Sequence, residues 1–358
     1  MTELPPYWQK DVQASSLTSM ACGGTVAYLA QPKTVDALLK TYTLAATYGL
    51  PVKILGGGSN LIFSDSGFSG VVIRPQFRQL QLIANDSWHD QLEQLSNEQT
   101  ITHRYQAAKP GYLSLKEQEP EISGPLTLIE AGCDVAWGQL VQFSLRNQLH
   151  GLHRYARIPC KVGGAVYNNI HAAEHLLNEM LCAVEVLEPK TGTVRWYSSK
   201  ELDFGYDTSQ FQHTDEVILT VLFALPAVSA ERSRLNSLQF RDWTAQKALV
   251  QPSGPNSGSV FKNLTPAVAA TVGEKQLAAG YYVEACGYKG YTIGGMQVYS
   301  RHANFIVNVA AGTQDDLLAL IAEIREAVSN RFKIWLEPEV ECIDQLGRPY
   351  VWEKNSFV

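Results

Sequence analysis

Leu55-Gly56-Gly57-Gly58-Ser59-Asn60-Leu61-Ile62-Phe63 is the stretch on which the reading of this chain turns. Three consecutive glycines leave backbone N–H groups on one side of a tight turn, with no Cβ to obstruct a diphosphate. The spacing is neither the G-x-G-x-x-G of a Rossmann site nor the G-x-x-x-x-G-K of a phosphate loop. Upstream, residues 34–48 read as a helix: Thr34 is its N-cap, Val35, Leu38, Leu39 and Ala45 fall at helical spacing, and Gly49 stops it. Val52 to Leu55 reads as a strand before the turn, with Leu61 to Phe63 and Val71 to Ile73 as strands after it. The sum is an α/β unit around a glycine loop, although the same turn alone also suits an ordinary hairpin.

A second glycine-rich segment, Ile158-Pro159-Cys160-Lys161-Val162-Gly163-Gly164-Ala165, follows about 100 residues later. Two such segments can grip opposite ends of one long cofactor; close strand packing explains Gly163 and Gly164 equally well. Between them, residues 85–124 are polar and read as an insertion with a Lys109-Pro110-Gly111 turn. Order resumes at Leu126 to Ile129. A helix is expected over 137–149, with Leu140, Val141 and Leu145 on one face. Residues 183–187 and 194–197 form a hairpin, and 217–223 another strand. After the turn-rich Gln251 to Asn256, a helix spans 314–332, capped by Thr313 with Asp316 and buried through Leu317, Ile321, Ile324 and Val328. Trp335 to Ile343 reads as a strand returning to an earlier sheet.

A length of 358 residues suggests two or three domains. The composition, 45% hydrophobic and 18% charged, is that of a globular protein. With a net charge of −6 and no Lys/Arg-rich run, a nucleic-acid partner is not expected. The N-terminus lacks a basic region followed by an apolar stretch, and no window reaches the roughly 18 to 20 apolar residues of a membrane helix. A cytoplasmic protein without a membrane partner is the expectation. The six cysteines include no C-x-x-C pair, so no metal site is expected and the thiols should be reduced and mostly buried.

LGGGSNLIF (55–63), IPCKVGGAVYNN (158–169), FGYDTSQF (204–211), SGSVFKN (257–263), EACGYKGYTIGGMQVYSRHANFIVN (284–308) and LEPEV (336–340) occur in the order found in the UDP-N-acetylenolpyruvoylglucosamine reductase family, which the chain resembles from about Thr18 to Val340. The resemblance implies an α+β protein: a two-lobed FAD-binding domain of the vanillyl-alcohol-oxidase type plus a C-terminal substrate-binding α/β domain. It places lobe 1 at 1–75, lobe 2 at 76–246 with 335–358, and the substrate domain at 247–334. It implies FAD as cofactor and NADPH as co-substrate for reducing UDP-N-acetylglucosamine enolpyruvate to UDP-N-acetylmuramate in peptidoglycan precursor synthesis, by a protein expected to be a monomer. NADPH would leave before the UDP-sugar binds in the same place and is protonated at C2. By the same resemblance Ser259 is the proton donor and Glu339 its catalytic partner. Leu55, Gly56, Gly57, Gly58, Ser59, Asn60, Ile158, Pro159, Val162, Gly163 and Gly164 hold the cofactor. Tyr206, Lys247, Lys262, Asn263, Tyr281 and Lys289 meet the substrate.

The chain departs from the family pattern in two places. Where the family has Tyr-Arg-x-Ser, this sequence reads Tyr206-Asp207-Thr208-Ser209, an anion in place of a cation. Arg157 and Cys160 stand where glycines are usual, and His171-Ala172-Ala173-Glu174 replaces a Gly-Ala-Tyr-Gly run. One expectation is that Arg157 or Arg154 supplies the missing cation; contact of Arg157 with a flavin phosphate or with solvent is the alternative. Cys160 also raises the question of a thioether to the flavin. Two other readings stay open: an FAD-dependent oxidase or dehydrogenase of another sugar or alcohol, which oxygen consumption would reveal, and a non-catalytic FAD- or UDP-sugar-binding paralogue, in which NADPH would fail to reduce the flavin.

Overall fold

The structure is a computed structural model that describes residues 4–84, 88, 125–172 and 175–352. The polar insertion expected at 85–124 therefore lies outside the described residues except for Trp88, as do Ala173 and Glu174.

The first sheet has strand order β1-β2-β5-β3, built from β1 (Trp8–Gln13), β2 (Thr25–Ala30), β3 (Val52–Ile54) and β5 (Phe68–Ile73). Helix α1 (Val35–Thr47) crosses over between β2 and β3, its first turn capped by Thr34 Oγ1, which accepts from the Ala37 amide at 3.2 Å. That crossover makes β2 and β3 both parallel to β5. β4 (Leu61–Phe63), the strand expected after the glycine turn, pairs outside this sheet. It runs parallel to β19 (Glu341–Ile343), with Leu61 opposite Glu341 and Phe63 opposite Ile343. The segment after residue 334, expected with the second lobe, thus pairs through β19 with a strand of residues 1–75. Ile62 and Cys342 are buried on both sides, so the two short strands hold each other by backbone pairing inside an apolar core.

The second sheet is antiparallel, order β11-β10-β14-β7-β6, from β6 (Leu80–Ile83), β7 (Leu126–Gly132), β10 (Leu181–Glu188), β11 (Thr193–Ser198) and β14 (Val217–Pro226). One face carries α2 (Trp137–Arg146) and α3 (Val162–Tyr167), with Trp137, Leu140, Val141, Val162, Ala165 and Val166 in its core. Two small hairpins follow α3 and shape the site: β8 (His171–Ala172) with β9 (His175–Leu176), and β12 (Phe204–Gly205) with β13 (Thr208–Ser209). Helix α4 (Ala230–Val250) then leads to the third sheet, order β15-β18-β17-β16, from β15 (Asn256–Ser259), β16 (Thr292–Ile293), β17 (Met296–Val298) and β18 (Phe305–Asn308). Beside it lie α5 (Pro266–Thr271), α6 (Ala279–Ala285) and α7 (Gln314–Phe332). α7 begins at the Thr313–Asp316 capping box and buries Leu317, Ile321, Ile324 and Val328, the stripe that its spacing predicts.

All six cysteines are free thiols; Cys22, Cys133, Cys182 and Cys342 are buried. Among the described residues no helix is long and apolar enough to cross a membrane.

Gln314 ties α7 to the β4–β19 pair. Its buried side-chain amide donates to the Ile62 and Ile343 carbonyls, both at 3.1 Å. Replacing it with leucine leaves both carbonyls without that donor in a buried place, at a cost of about 1–3 kcal/mol. Urea unfolding of Gln314→Leu is expected to show a lower midpoint with an unchanged slope.

Candidate active site

The two glycine segments meet face to face rather than at opposite ends of a ligand. A Cβ on Gly56 would stand 3.6 Å from the Gly164 nitrogen, and one on Gly57 would stand 3.4 Å from the Cys160 Cα. Gly58 has φ +70°, and a Cβ there would fall 2.1 Å from the Leu17 carbonyl oxygen, so both conformation and space demand glycine. Gly164 differs, since a Cβ there meets nothing within 4 Å. It faces a cavity of about 1690 Å³ lined by Leu55, Gly56–Asn60, Arg157–Cys160, Gly163, Gly164, Lys247, Ser259, Asp207 and Glu339 among others. That exceeds the roughly 300–1,000 Å³ of a pocket for one small ligand and suits a long cofactor together with a substrate. Bare backbone at Gly56, Gly57 and Gly164 gives such a cofactor a surface that it can approach closely, so the residues present fit a flavin dinucleotide.

Ser259 and Glu339 are carried to this cavity on adjacent extended segments. The Glu339 amide donates to the Val260 carbonyl at 2.7 Å, the Lys262 amide to the Glu337 carbonyl at 2.9 Å, and Phe261 lies opposite Pro338. Asn304, buried, clamps Phe261 from the other side: its Oδ1 accepts from the Phe261 amide at 3.0 Å and its Nδ2 donates to the Phe261 carbonyl at 2.8 Å. Asn60 holds the neighbouring segment, donating from Nδ2 to the Glu339 carbonyl at 3.1 Å while its own carbonyl accepts from the Glu341 amide at 2.9 Å. The asparagine of the glycine loop is therefore turned toward the glutamate. Ser19 stitches the same parts together: its amide donates to the Gly58 carbonyl at 2.9 Å and its hydroxyl to the Asn256 carbonyl at 2.6 Å. Sequence reasoning gave Ser19 no role, and only the pairing of residues far apart in the chain reveals one.

The electrostatics set this site apart. Burial first, and the nearby Asp207 carboxylate second, push the Glu339 carboxyl well above its usual range, while Lys262 pulls it down. Asp207 is the second residue of the β12–β13 turn, with φ +53°, a conformation that aspartate tolerates better than most residues. Gln212 Nε2 holds its carbonyl at 3.1 Å, and Asn169 Nδ2 holds the Gly205 carbonyl at 2.8 Å. The turn thus presents Asp207 to the cavity, where its Oδ1 meets His171 Nδ1 at 2.8 Å. Tyr206 OH lies 3.2 Å from His171 Nε2.

Cations surround the anions at a distance. Lys247, in the last turn of α4, donates to the Ala156 carbonyl at 2.8 Å; burial, with the charge of Arg157, lowers its ammonium to about 8. Arg157 lies exposed on the cavity wall, whereas Arg154 turns away, its Nη2 3.1 Å from His150 Nε2. Of the two arginines, only Arg157 lines the cavity. Burial raises the Cys160 thiol to about 12, which disfavours the thiolate that a thioether would require.

Five of the substrate residues expected from sequence do not line the cavity. Tyr206 reaches it through His171. Lys262 pairs with Glu337 at 2.7 Å, and Asn263 Oδ1 accepts from the Ala279 amide at 3.1 Å, capping α6. Tyr281 is 46% exposed on α6, and Lys289 pairs with Glu284 at 2.7 Å. Val162, expected at the cofactor, is the first residue of α3 and is buried in the core.

Residues 251–343 match the C-terminal domain of UDP-N-acetylenolpyruvoylglucosamine reductase, and residues 26–89 match an FAD binding domain. Over 329 residues the chain is 30% identical to the UDP-N-acetylenolpyruvoylglucosamine reductase of Halalkalibacterium halodurans, covering 92% of this chain and 91% of that one. The chain belongs to the UDP-N-acetylenolpyruvoylglucosamine reductase family. The reductase of Thermotoga maritima is likewise 30% identical, over 90% of this chain and 94% of its own. The crystal structure of UDP-N-acetylenolpyruvylglucosamine reductase from Thermus caldophilus shares the fold, with a TM-score of 0.67 and 24% identity over 93% of this chain and 98% of that one.

The Cβ that Gly164→Leu introduces enters open space, with nothing within 4 Å of it. The apoprotein is expected to melt as the wild type does, while FAD, facing overpacking of about 1–3 kcal/mol, binds about 10- to 100-fold more weakly. Quenching of flavin fluorescence during titration of apoprotein measures the difference.

Proposed function

We propose that this chain binds FAD and uses NADPH to reduce UDP-N-acetylglucosamine enolpyruvate to UDP-N-acetylmuramate, in the cytoplasm and as a monomer. FAD supplies the carrier that takes hydride equivalents from NADPH and delivers them to the enol ether. The chain's own residues cradle that carrier between Gly56–Asn60 and Ile158–Gly164, and they manage the proton. Residues 1–75 with 335–352 make one flavin lobe in this reading, 76–246 the other, and 247–334 the substrate domain.

The observation that carries the mechanism is the convergence of Ser259 and Glu339 on one cavity, from adjacent extended segments clamped by Asn60 and Asn304. Ser259 donates its hydroxyl proton to C2. A serine hydroxyl is a weak acid, so the donation needs a second proton source close by. Glu339 is that source, because burial beside Asp207 keeps its carboxyl protonated where an ordinary glutamate is ionised. Lys247 and Arg157, both on the cavity wall, offer positive charge to the anionic groups of the nucleotide sugar. Tyr281 and Lys289 serve the substrate only where it extends past the cavity over α6. The relatives carry the reductase name, and an oxidase of another sugar draws no support from them.

Two outcomes test this reading. In anaerobic stopped-flow with holoenzyme, NADPH bleaches the oxidised flavin band and the enolpyruvyl UDP-sugar restores it; Ser259→Ala slows the restoration by about 10²- to 10⁴-fold while bleaching persists. The second concerns stability. A carboxyl raised in the folded state favours folding below its unfolded value and loses that advantage as pH rises through the folded value. Holoenzyme with Glu339→Gln, neutral at every pH, is therefore expected to lose less melting temperature than wild type between about pH 6 and about pH 9.

A further inference from the structure

Lys53 is a part-buried cation with the cavity in front of it. It stands in β3, the edge strand of the first sheet, three residues before Gly56, and both it and Glu341 of β19 line the cavity. The two side chains are 21% and 31% exposed, and Lys53 Nζ donates to Glu341 Oε1. That is the ammonium's one hydrogen bond among the described residues, and an ammonium carries three donors. Apolar side chains would join β3 to β19 about as well, because desolvating an ion pair offsets much of its attraction. A charge kept at the cavity wall is of use to something that enters the cavity.

Glu341 fixes where that charge stands. Its carboxylate takes Lys53, and its amide donates to the Asn60 carbonyl at 2.9 Å. Residues on either side of the glycine turn, Lys53 before it and Asn60 after it, are thus tied to one residue of β19, and the ammonium is registered against the turn between them. The same stretch of chain separates two tasks. Glu339 and Glu341 both line the cavity, while Val340 between them is buried. The Glu339 amide is bound to Val260, next to Ser259, whereas Glu341 is bound to the glycine-turn segment. Lys53 therefore belongs to the glycine end of the cavity wall. Of the parts of FAD, the diphosphate is the anionic one, and bare backbone at a triglycine turn and an ammonium both favour it.

We propose that Lys53 is a contact for the diphosphate of FAD, an ammonium that Glu341 holds beside the glycine turn. The assignment rests on the cofactor half of the function proposed above and is independent of the roles given to Ser259 and Glu339.

Full-chain apoprotein of wild type, Lys53→Met, Lys53→Arg and the double variant Lys53→Met/Glu341→Leu is titrated with FAD, following flavin fluorescence. Lys53→Met is expected to bind FAD about 10- to 100-fold more weakly, and Lys53→Arg to recover most of the loss, since a guanidinium also serves phosphate. The double variant replaces the ion pair by an apolar one, so its apoprotein should melt near wild type while FAD binding stays about tenfold or more weaker. Added salt should weaken FAD binding by wild type more than by either variant that lacks the cation. Holoprotein of Lys53→Met should bind UDP as wild type does. FAD binding by Lys53→Met within about threefold of wild type overturns the contact, and so does a deficit that the double variant repairs, which marks a structural bridge alone. A loss that falls on UDP and spares FAD gives the ammonium to the nucleotide sugar and equally overturns the assignment. Wild-type apoprotein that takes up no FAD overturns instead the cofactor reading beneath it, and the contact with it.

Discussion

Asn60 gives the Glu339 carbonyl its side-chain amide and takes the Glu341 amide on its own carbonyl, and the rest of the site depends on that clamp. It fixes the glycine loop to a segment 279 residues away in sequence. Because Glu339 is bound at the same time to Val260, the clamp extends to the strand that ends in Ser259. The glycine loop and the segments that carry Ser259 and Glu339 therefore share one hydrogen-bonded frame. In the proposed reaction a shift of an ångström between them would separate groups that must meet closely, and such misplacement costs rate steeply.

The frame also explains why the cavity tolerates so much uncompensated charge. Asp207, Glu339, Glu341 and Asp134 all border it, as do Lys53, Lys247 and Arg157. Where partners are available they are used: Lys53 pairs with Glu341, and Lys161 Nζ lies 3.2 Å from Asp134 Oδ1. Glu339 has no such cation in contact among the described residues, and burial beside the Asp207 carboxylate favours its protonated form. An arginine in the place of Asp207 would impose the opposite electrostatics on the same turn. His171, also absent from the usual family run, accompanies that change, its Nδ1 2.8 Å from Asp207 Oδ1.

Much of the architecture was legible where pattern and propensity agree. Thr34 and Thr313 cap the helices that they were expected to cap, and the 183–187/194–197 hairpin forms in register, Leu187 opposite Val194. The partner of β4 was not legible, because three apolar residues say "buried strand" without saying beside what. Nor was α4, a 21-residue helix whose apolar residues lie around its circumference: Leu235, Leu238 and Leu249 are exposed, so no stripe marks it. Within the site, nearness in sequence misled for Lys262 and Asn263. On an extended segment successive side chains point to opposite faces, so Lys262, three residues on, need not share the direction of Ser259, and Asn263 is held instead by the Ala279 amide. The Asp207–His171 contact joins two hairpins 36 residues apart, and no local signal encodes it.

The parallel pair of β4 with β19 has a consequence for biosynthesis. Ile62 and Phe63 leave the ribosome long before the strand that completes their burial, which follows them by 278 to 281 residues. At about 5–20 residues per second, that edge waits about 15 to 60 s for its partner. Through that interval the nascent first lobe carries an open, apolar strand edge of the kind that invites wrong pairing. The chain must rely on the antiparallel sheet, whose strands become available sooner, to hold a partly assembled molecule together until residue 343 emerges. Substitutions at β19 should therefore act on yield during synthesis well beyond what the three residues contribute to the finished fold.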